Sequence, residues 1–153
     1  MLTLGDIWSL KLFGVYERGV PNREHVILRT WDSSPVQLGY FFLAVGWRSP
    51  GGNGATPLQD GLLWLGELEM RAGQWIYVYT GPGTQHVAKA TTGEDLHVIH
   101  WNRSTVVFGD ANTVPLLMQA SSVAVGQSPQ GILAETNYAA QLARLASGGQ
   151  PNR

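Results

Sequence analysis

The chain has 153 residues, 44% hydrophobic and 14% charged, with ten Lys+Arg against eleven Asp+Glu for a formal net charge of -1. That length suits one domain with a real core rather than two, and low charge with ordinary apolar content excludes intrinsic disorder. The near-zero balance argues against a protein that holds nucleic acid or acidic membrane by bulk electrostatics, and the lack of cysteine excludes disulfides, Cys-based zinc sites and thiol catalysis.

The chain opens on Met1-Leu2-Thr3-Leu4-Gly5-Asp6-Ile7-Trp8, with no basic leader and with Asp6 where a signal peptide is apolar. No stretch approaches the ~20 apolar residues of a membrane span. A soluble, cytoplasmic protein is expected. Trp8–Tyr16 is the first candidate strand, closed by the turn residues Gly19-Val20-Pro21-Asn22. In Glu24–Thr30, Val26 and Leu28 face one way while His25, Ile27 and Arg29 face the other. Gln37–Trp47 is apolar on both faces, as a central strand is. Ser49–Pro57 is Gly-rich and polar, and is expected to be a flexible loop interrupting the domain. Leu62–Met70 is a further short candidate.

Trp75, Tyr77 and Tyr79 share one face of the next strand, with Ile76 and Val78 on the opposite one. Thr80-Gly81-Pro82-Gly83 and Thr91–Asp95 carry strong turn chemistry. Leu96, Val98 and His100 then alternate with His97, Ile99 and Trp101. Thr105–Phe108, Val114–Met118 and Val123–Val125 complete the candidates. Short strands of β-branched and aromatic residues between turns predict an all-β fold, an antiparallel sandwich of about seven to nine strands.

From Ser128 to Ser147 the period changes. Ser128 suits an N-cap and Pro129 the first helical position, and Ala134, Tyr138, Leu142 and Leu145 form an apolar stripe. The spacing predicts an amphipathic C-terminal helix. The expected division is a sandwich over 1–127, a helix over 128–147 packed on the sandwich or on a partner, and a disordered tail over 148–153.

Several motifs in order resemble the lamin tail domain family. Asn22-Arg23-Glu24-His25-Val26-Ile27-Leu28 is similar to its "Glu-aromatic-Val-x-Leu" strand, and Pro35–Leu43 to its "Val-x-Leu-x-Gly-aromatic-x-Leu" strand. Met70-Arg71-Ala72-Gly73 leading into Trp75–Gly83 resembles its turn, strand and Gly-rich hairpin. Trp101, Phe108-Gly109-Asp110 and Leu116-Leu117 resemble its tryptophan strand, Gly-Asp turn and leucine strand. The likeness runs from about Leu10 to Val125. It implies an immunoglobulin-like β-sandwich used as an interaction module, without catalysis. The chain departs from the family in its long Ser49–Asp60 loop, its added helix and the lack of an accompanying catalytic domain.

His97 and His100, three apart on a strand, point to opposite faces and cannot chelate one ion, so neither a metal nor a cofactor is expected. Glu67 with Glu69 and Glu94 with Asp95 read as solvated edges and turns rather than paired catalytic carboxylates. No nucleophile elbow, P-loop or dinucleotide glycine pattern occurs, and the scattered arginines argue against nucleic acid.

Two surfaces remain. The Trp75, Tyr77, Tyr79 face is either core filling or an exposed aromatic contact surface. The stripe of Ala134, Tyr138, Leu142 and Leu145 must be covered by the sandwich, a sister subunit or another protein. The function expected is a non-catalytic interaction module that binds a protein or self-associates through its helix. A carbohydrate-binding module using the aromatic face is the alternative, and a small hydrolase acting through Glu67/Glu69 or His86 is a remote third.

Overall fold

The computed structural model describes residues 2–3, 7–31, 33–126 and 140–144. The chain divides into one unit over Met1–Ser121, which holds all the strands among the described residues, and a second over Ser122–Arg153, in which 140–144 are helical. Among the described residues no helix is long and apolar enough to cross a membrane.

The first unit is built from β-strands in three sheets. One has four strands in the order β1 (Leu2–Thr3), β6 (Gly54–Trp64), β5 (Phe41–Arg48) and β11 (Thr113–Gln119). The second has five, in the order β2 (Leu10–Tyr16), β3 (His25–Thr30), β8 (Trp75–Tyr79), β10 (Asp95–His100) and β9 (His86–Lys89). A third is the short pair β4 (Val36–Gln37) and β7 (Glu69–Met70). The two large sheets share one core. Val26, Leu28, Ile76, Val78 and Ile99 enter it from the five-stranded sheet, and Phe41, Leu43 and Val45 from the four-stranded one. Burying each such side chain contributes about 1.5–3 kcal/mol, so period-two alternation decides which face of each strand turns inward.

Several expectations need correction. The sheet is not wholly antiparallel, because β10 lies between β8 and β9 and pairs parallel to β8, with Leu96 opposite Trp75 and His100 opposite Tyr79. Gln37–Trp47 is not one strand. Leu38–Tyr40 forms a 3-10 turn that separates β4 from β5, and its first residue, Leu38, is buried. The Ser49–Pro57 loop shrinks to a tight reversal closed by Ser49 N–H to Gly54 O at 3.0 Å, because β6 already begins at Gly54. Leu62–Met70 is likewise broken, at Gly66, whose φ of 91° ends the long strand.

The long β6 also bulges. Ala44 lies opposite Leu62 but Gly46 opposite Pro57, so extra residues of β6 loop out beside Val45. Gly61 fits there because it has no Cβ; one would come within 2.7 Å of Val45 Cβ and 3.0 Å of its backbone nitrogen.

Thr105–Phe108 is not a strand either. The amides of Val107 and Phe108 are taken by a buried carboxylate instead of a neighbouring strand. Glu24 accepts from Val107 N–H at 2.7 Å and Phe108 N–H at 3.1 Å through one oxygen, and from Gly19 N–H at 2.7 Å through the other. Arg18 donates to the carbonyls of Phe108, Asp110 and Thr113 at 3.0, 3.0 and 2.8 Å, fixing the rest of that loop. Trp101 and Phe108 pack their rings in the core with centroids 6.3 Å apart. Val123–Val125, also read as a strand, is not one, and Val123 and Val125 are exposed.

Candidate functional site

Because Ile76 and Val78 are core residues, Trp75, Tyr77 and Tyr79 project from the opposite, outer face of the five-stranded sheet, where each is half-buried. This decides against the reading in which the aromatic face fills the core. Register brings the other strands to the same face. Tyr16 lies opposite His25, His25 opposite Tyr79, and Tyr79 opposite His100. His86 on β9 lies opposite Val98, one diagonal step from His100.

The result is a row of rings with one contribution from every strand. Tyr16 stacks on His25 with centroids 5.8 Å apart, His25 on Tyr79 at 4.8 Å, Tyr79 on His100 at 5.6 Å and His100 on His86 at 6.2 Å, all with interplanar angles of 22–29°. Tyr77 closes on His25 from the next row at 5.1 Å. These separations approach the inter-strand spacing. The rings therefore stand side by side, faces toward one another and edges away from the sheet.

The imidazoles are held from beneath. His25 Nδ1 bonds to Arg23 O at 2.7 Å, His86 Nδ1 to Thr84 O at 2.9 Å and His100 Nδ1 to Gly81 O at 3.3 Å. A carbonyl only accepts, so Nδ1 carries the proton in each and Nε2 of the neutral ring is left as an acceptor. Gly83 packs against His100; a Cβ there would sit 2.3 Å from the ring. Burial raises the Tyr79 phenol above its ordinary value, with further contributions from Tyr77 and Glu17 against Arg23.

A second group lies along the same face. A bulge in β2 leaves Phe13 as an extra residue, with Leu12 opposite Leu28 and Gly14 opposite Ile27, and Gly14 takes a φ of 135°. The Phe13 ring reaches Trp75 at 5.4 Å. The Arg29 guanidinium lies over Trp75 at 4.8 Å and over Trp31 at 5.9 Å, and Lys11 Nζ over Trp31 at 5.2 Å and Phe13 at 5.3 Å. Trp75 Nε1 donates to Glu94 at 2.7 Å.

Of the remaining candidates, Glu69 is exposed and accepts from Gln37 Nε2 at 2.5 Å, and Glu67 is exposed. His97 turns inward, away from His100, and its burial lowers the imidazole pKa against the opposing pull of Asp95. Among the described residues no group of three or more His, Asp or Glu side chains is placed to hold a metal ion. On the second unit Leu142 is exposed on the helical segment 140–144, while Ala134, Tyr138 and Leu145 lie outside the described residues.

The sequence showed Trp75, Tyr77 and Tyr79 but not the company they keep. His25, Arg29 and His100 were each legible on one face of their own strands; only register sets them beside Tyr79 and Trp75. Comparison with protein-family models, with curated proteins and with solved structures gives no match to this chain.

Proposed function

We propose that this chain is a non-catalytic interaction module, an immunoglobulin-like sandwich of the lamin tail type, that docks a protein partner on the outer face of its five-stranded sheet. The observation that carries this reading is the ring row Tyr16–His25–Tyr79–His100–His86, which lies outside the core with Tyr16 and His86 exposed, Tyr79 and His100 half-buried and His25 buried between its neighbours. The shared two-sheet core and the motif order from Glu24 to Leu117 support the family resemblance.

The same geometry weighs against sugar stacking, which needs free ring faces. Trp75 has Arg29 and Phe13 against its ring, and Tyr79 lies between His25 and His100. Self-association through the 128–147 stripe is the second form of the protein-binding reading, supported by the exposure of Leu142.

Affinity capture tests the first form with the full chain, a Tyr16→Ala/His86→Ala variant and a Leu62→Ser control on the other sheet. A partner retained by the wild type and the control and lost from the face variant supports the assignment; a partner held equally by all three overturns it. Light scattering of the full chain and of residues 1–127 tests the second: two monodisperse monomers exclude self-association.

A further inference from the structure

Resting on that reading, we propose that the outer face takes an acidic segment of its protein partner, and that His86 and His100 tighten this docking on acidification. The charge distribution selects the partner. The outer face of this sheet carries Lys11 and Arg29 with no acidic strand residue, because Lys89 and its neighbour Asp95 alternate onto the side of His97, in a chain whose formal net charge is -1. Asp95 is paired with Lys89. Lys11 and Arg29 are held over the rings of Phe13, Trp31 and Trp75, contacts that fix a cation without neutralising it. Glu94 stands 4.0 Å from Arg29, a solvated pairing of small worth.

The histidines supply the regulation. All four of the chain's histidines lie on this sheet, and three of them face outward in the ring row. His100 is faced by Tyr79 from β8, by His86 from β9 and by the Gly81–Gly83 backbone. His86 is faced by His100, with the Lys89–Asp95 pair farther along the same two strands. Glu17 and Arg23, themselves ion-paired at 2.5 Å, flank the row beyond Tyr79. Protonation at Nε2 keeps the Nδ1 bonds to Thr84 O and Gly81 O and turns an acceptor into a charged donor. The surface gains charge without losing its geometry. Two imidazoliums with centroids 6.2 Å apart repel, and a carboxylate laid between them relieves the repulsion.

The test uses the full chain with an oligo-aspartate peptide, which stays ionised across the range, and an oligo-glutamine peptide as the neutral control. Affinity for oligo-aspartate is expected to tighten about fivefold between about pH 8 and pH 5.5, the span in which imidazole changes charge. In H86Q/H100Q that ratio is expected to fall to about one. H86Q alone, at an exposed position, is expected to lose about half of the effect and guards against misfolding of the double variant. Affinity that does not change with pH, a double variant that keeps the wild-type ratio, or equal affinity for oligo-glutamine overturns the proposal. Such a failure, with partner capture still lost from the Tyr16→Ala/His86→Ala variant, removes the acidic segment but leaves the docking face standing. Loss of face-dependent capture removes both.

Discussion

The buried carboxylate of Glu24 accepts the Thr80 hydroxyl at 3.0 Å, while the Thr80 amide bonds to the Glu24 carbonyl, also at 3.0 Å. These two bonds, both donated by Thr80, join the start of β3 to the end of β8. The carboxylate's other bonds reach the loop after β2 and the loop before β11. One side chain thus replaces the strand pairing that Val107 and Phe108 lack. Glu24→Ala would leave four donors, three of them backbone amides, without their acceptor. The expected loss is about 3 kcal/mol or more, read by urea denaturation. Glu24→Gln keeps the shape but turns one acceptor into a donor, and is expected to cost about 2 kcal/mol. Unchanged midpoints in both variants would show that the clamp carries no stability.

Gly61 gives a packing prediction. Its absent Cβ leaves room for Val45 at the bulge, and the backbone nitrogen 3.0 Å away cannot swing aside as a side-chain tip can. Gly61→Ala is expected to destabilise by about 2 kcal/mol. The nearest atoms that Gly83→Ala meets belong to the His100 ring, which can turn. It is expected to cost under about 1 kcal/mol while breaking the His100–Tyr79 stack. Thermal melts and the NMR ring-current shifts of His100 separate the two outcomes.

His97 sets a pH dependence. Burial lowers its pKa from 6.5, so the unfolded chain takes up the proton first as pH falls. The neutral imidazole's share of stability is complete above 6.5 and is lost as pH drops from there toward the folded value. Asp95, held low by its hydrogen bond and ion pair with Lys89, keeps its contribution until pH falls below 3.8, whereas the loss from His97 already begins at 6.5. Denaturation midpoints measured on either side of 6.5 are expected to differ less in His97→Gln than in the wild type. Equal slopes would remove His97 as the source.

Tyr79 acts at the alkaline end. With its phenol raised above 10.0 by burial, the unfolded chain loses its proton first, and stability declines as pH climbs past that value. Phenolate absorbance should show a component above 10.0 that vanishes in Tyr79→Phe. A titration curve of unchanged shape in the variant would contradict this.

What the chain alone disclosed follows from the range of each interaction. Trp75–Tyr79 was legible because alternation is local, and the split between Ile76/Val78 and the aromatics needs only the neighbouring residues. Thr105–Phe108 was misread because its apolar run looks like a strand until Glu24, far away in sequence, claims its amides. The strand at His86–Lys89 escaped notice because an exposed edge strand needs no apolar face. The parallel neighbour of β8 was invisible for a topological reason: a strand's own residues do not record which strand the chain lays beside it. The aromatic residues of the site were apparent, and their histidine neighbours waited on register.

The insertion of β10 between β8 and β9 makes the ring row a seam. His86 and His100 belong to one hairpin, Asp95–His100 with His86–Lys89, and the strand pairing that joins this hairpin to the rest of the sheet runs along β8. Tyr79 against His100 is the stitch in the row that crosses this boundary. If the hairpin swings away, both imidazoles leave together and Tyr16, His25 and Tyr79 stay behind, so the integrity of the surface reports whether β10 is seated against β8.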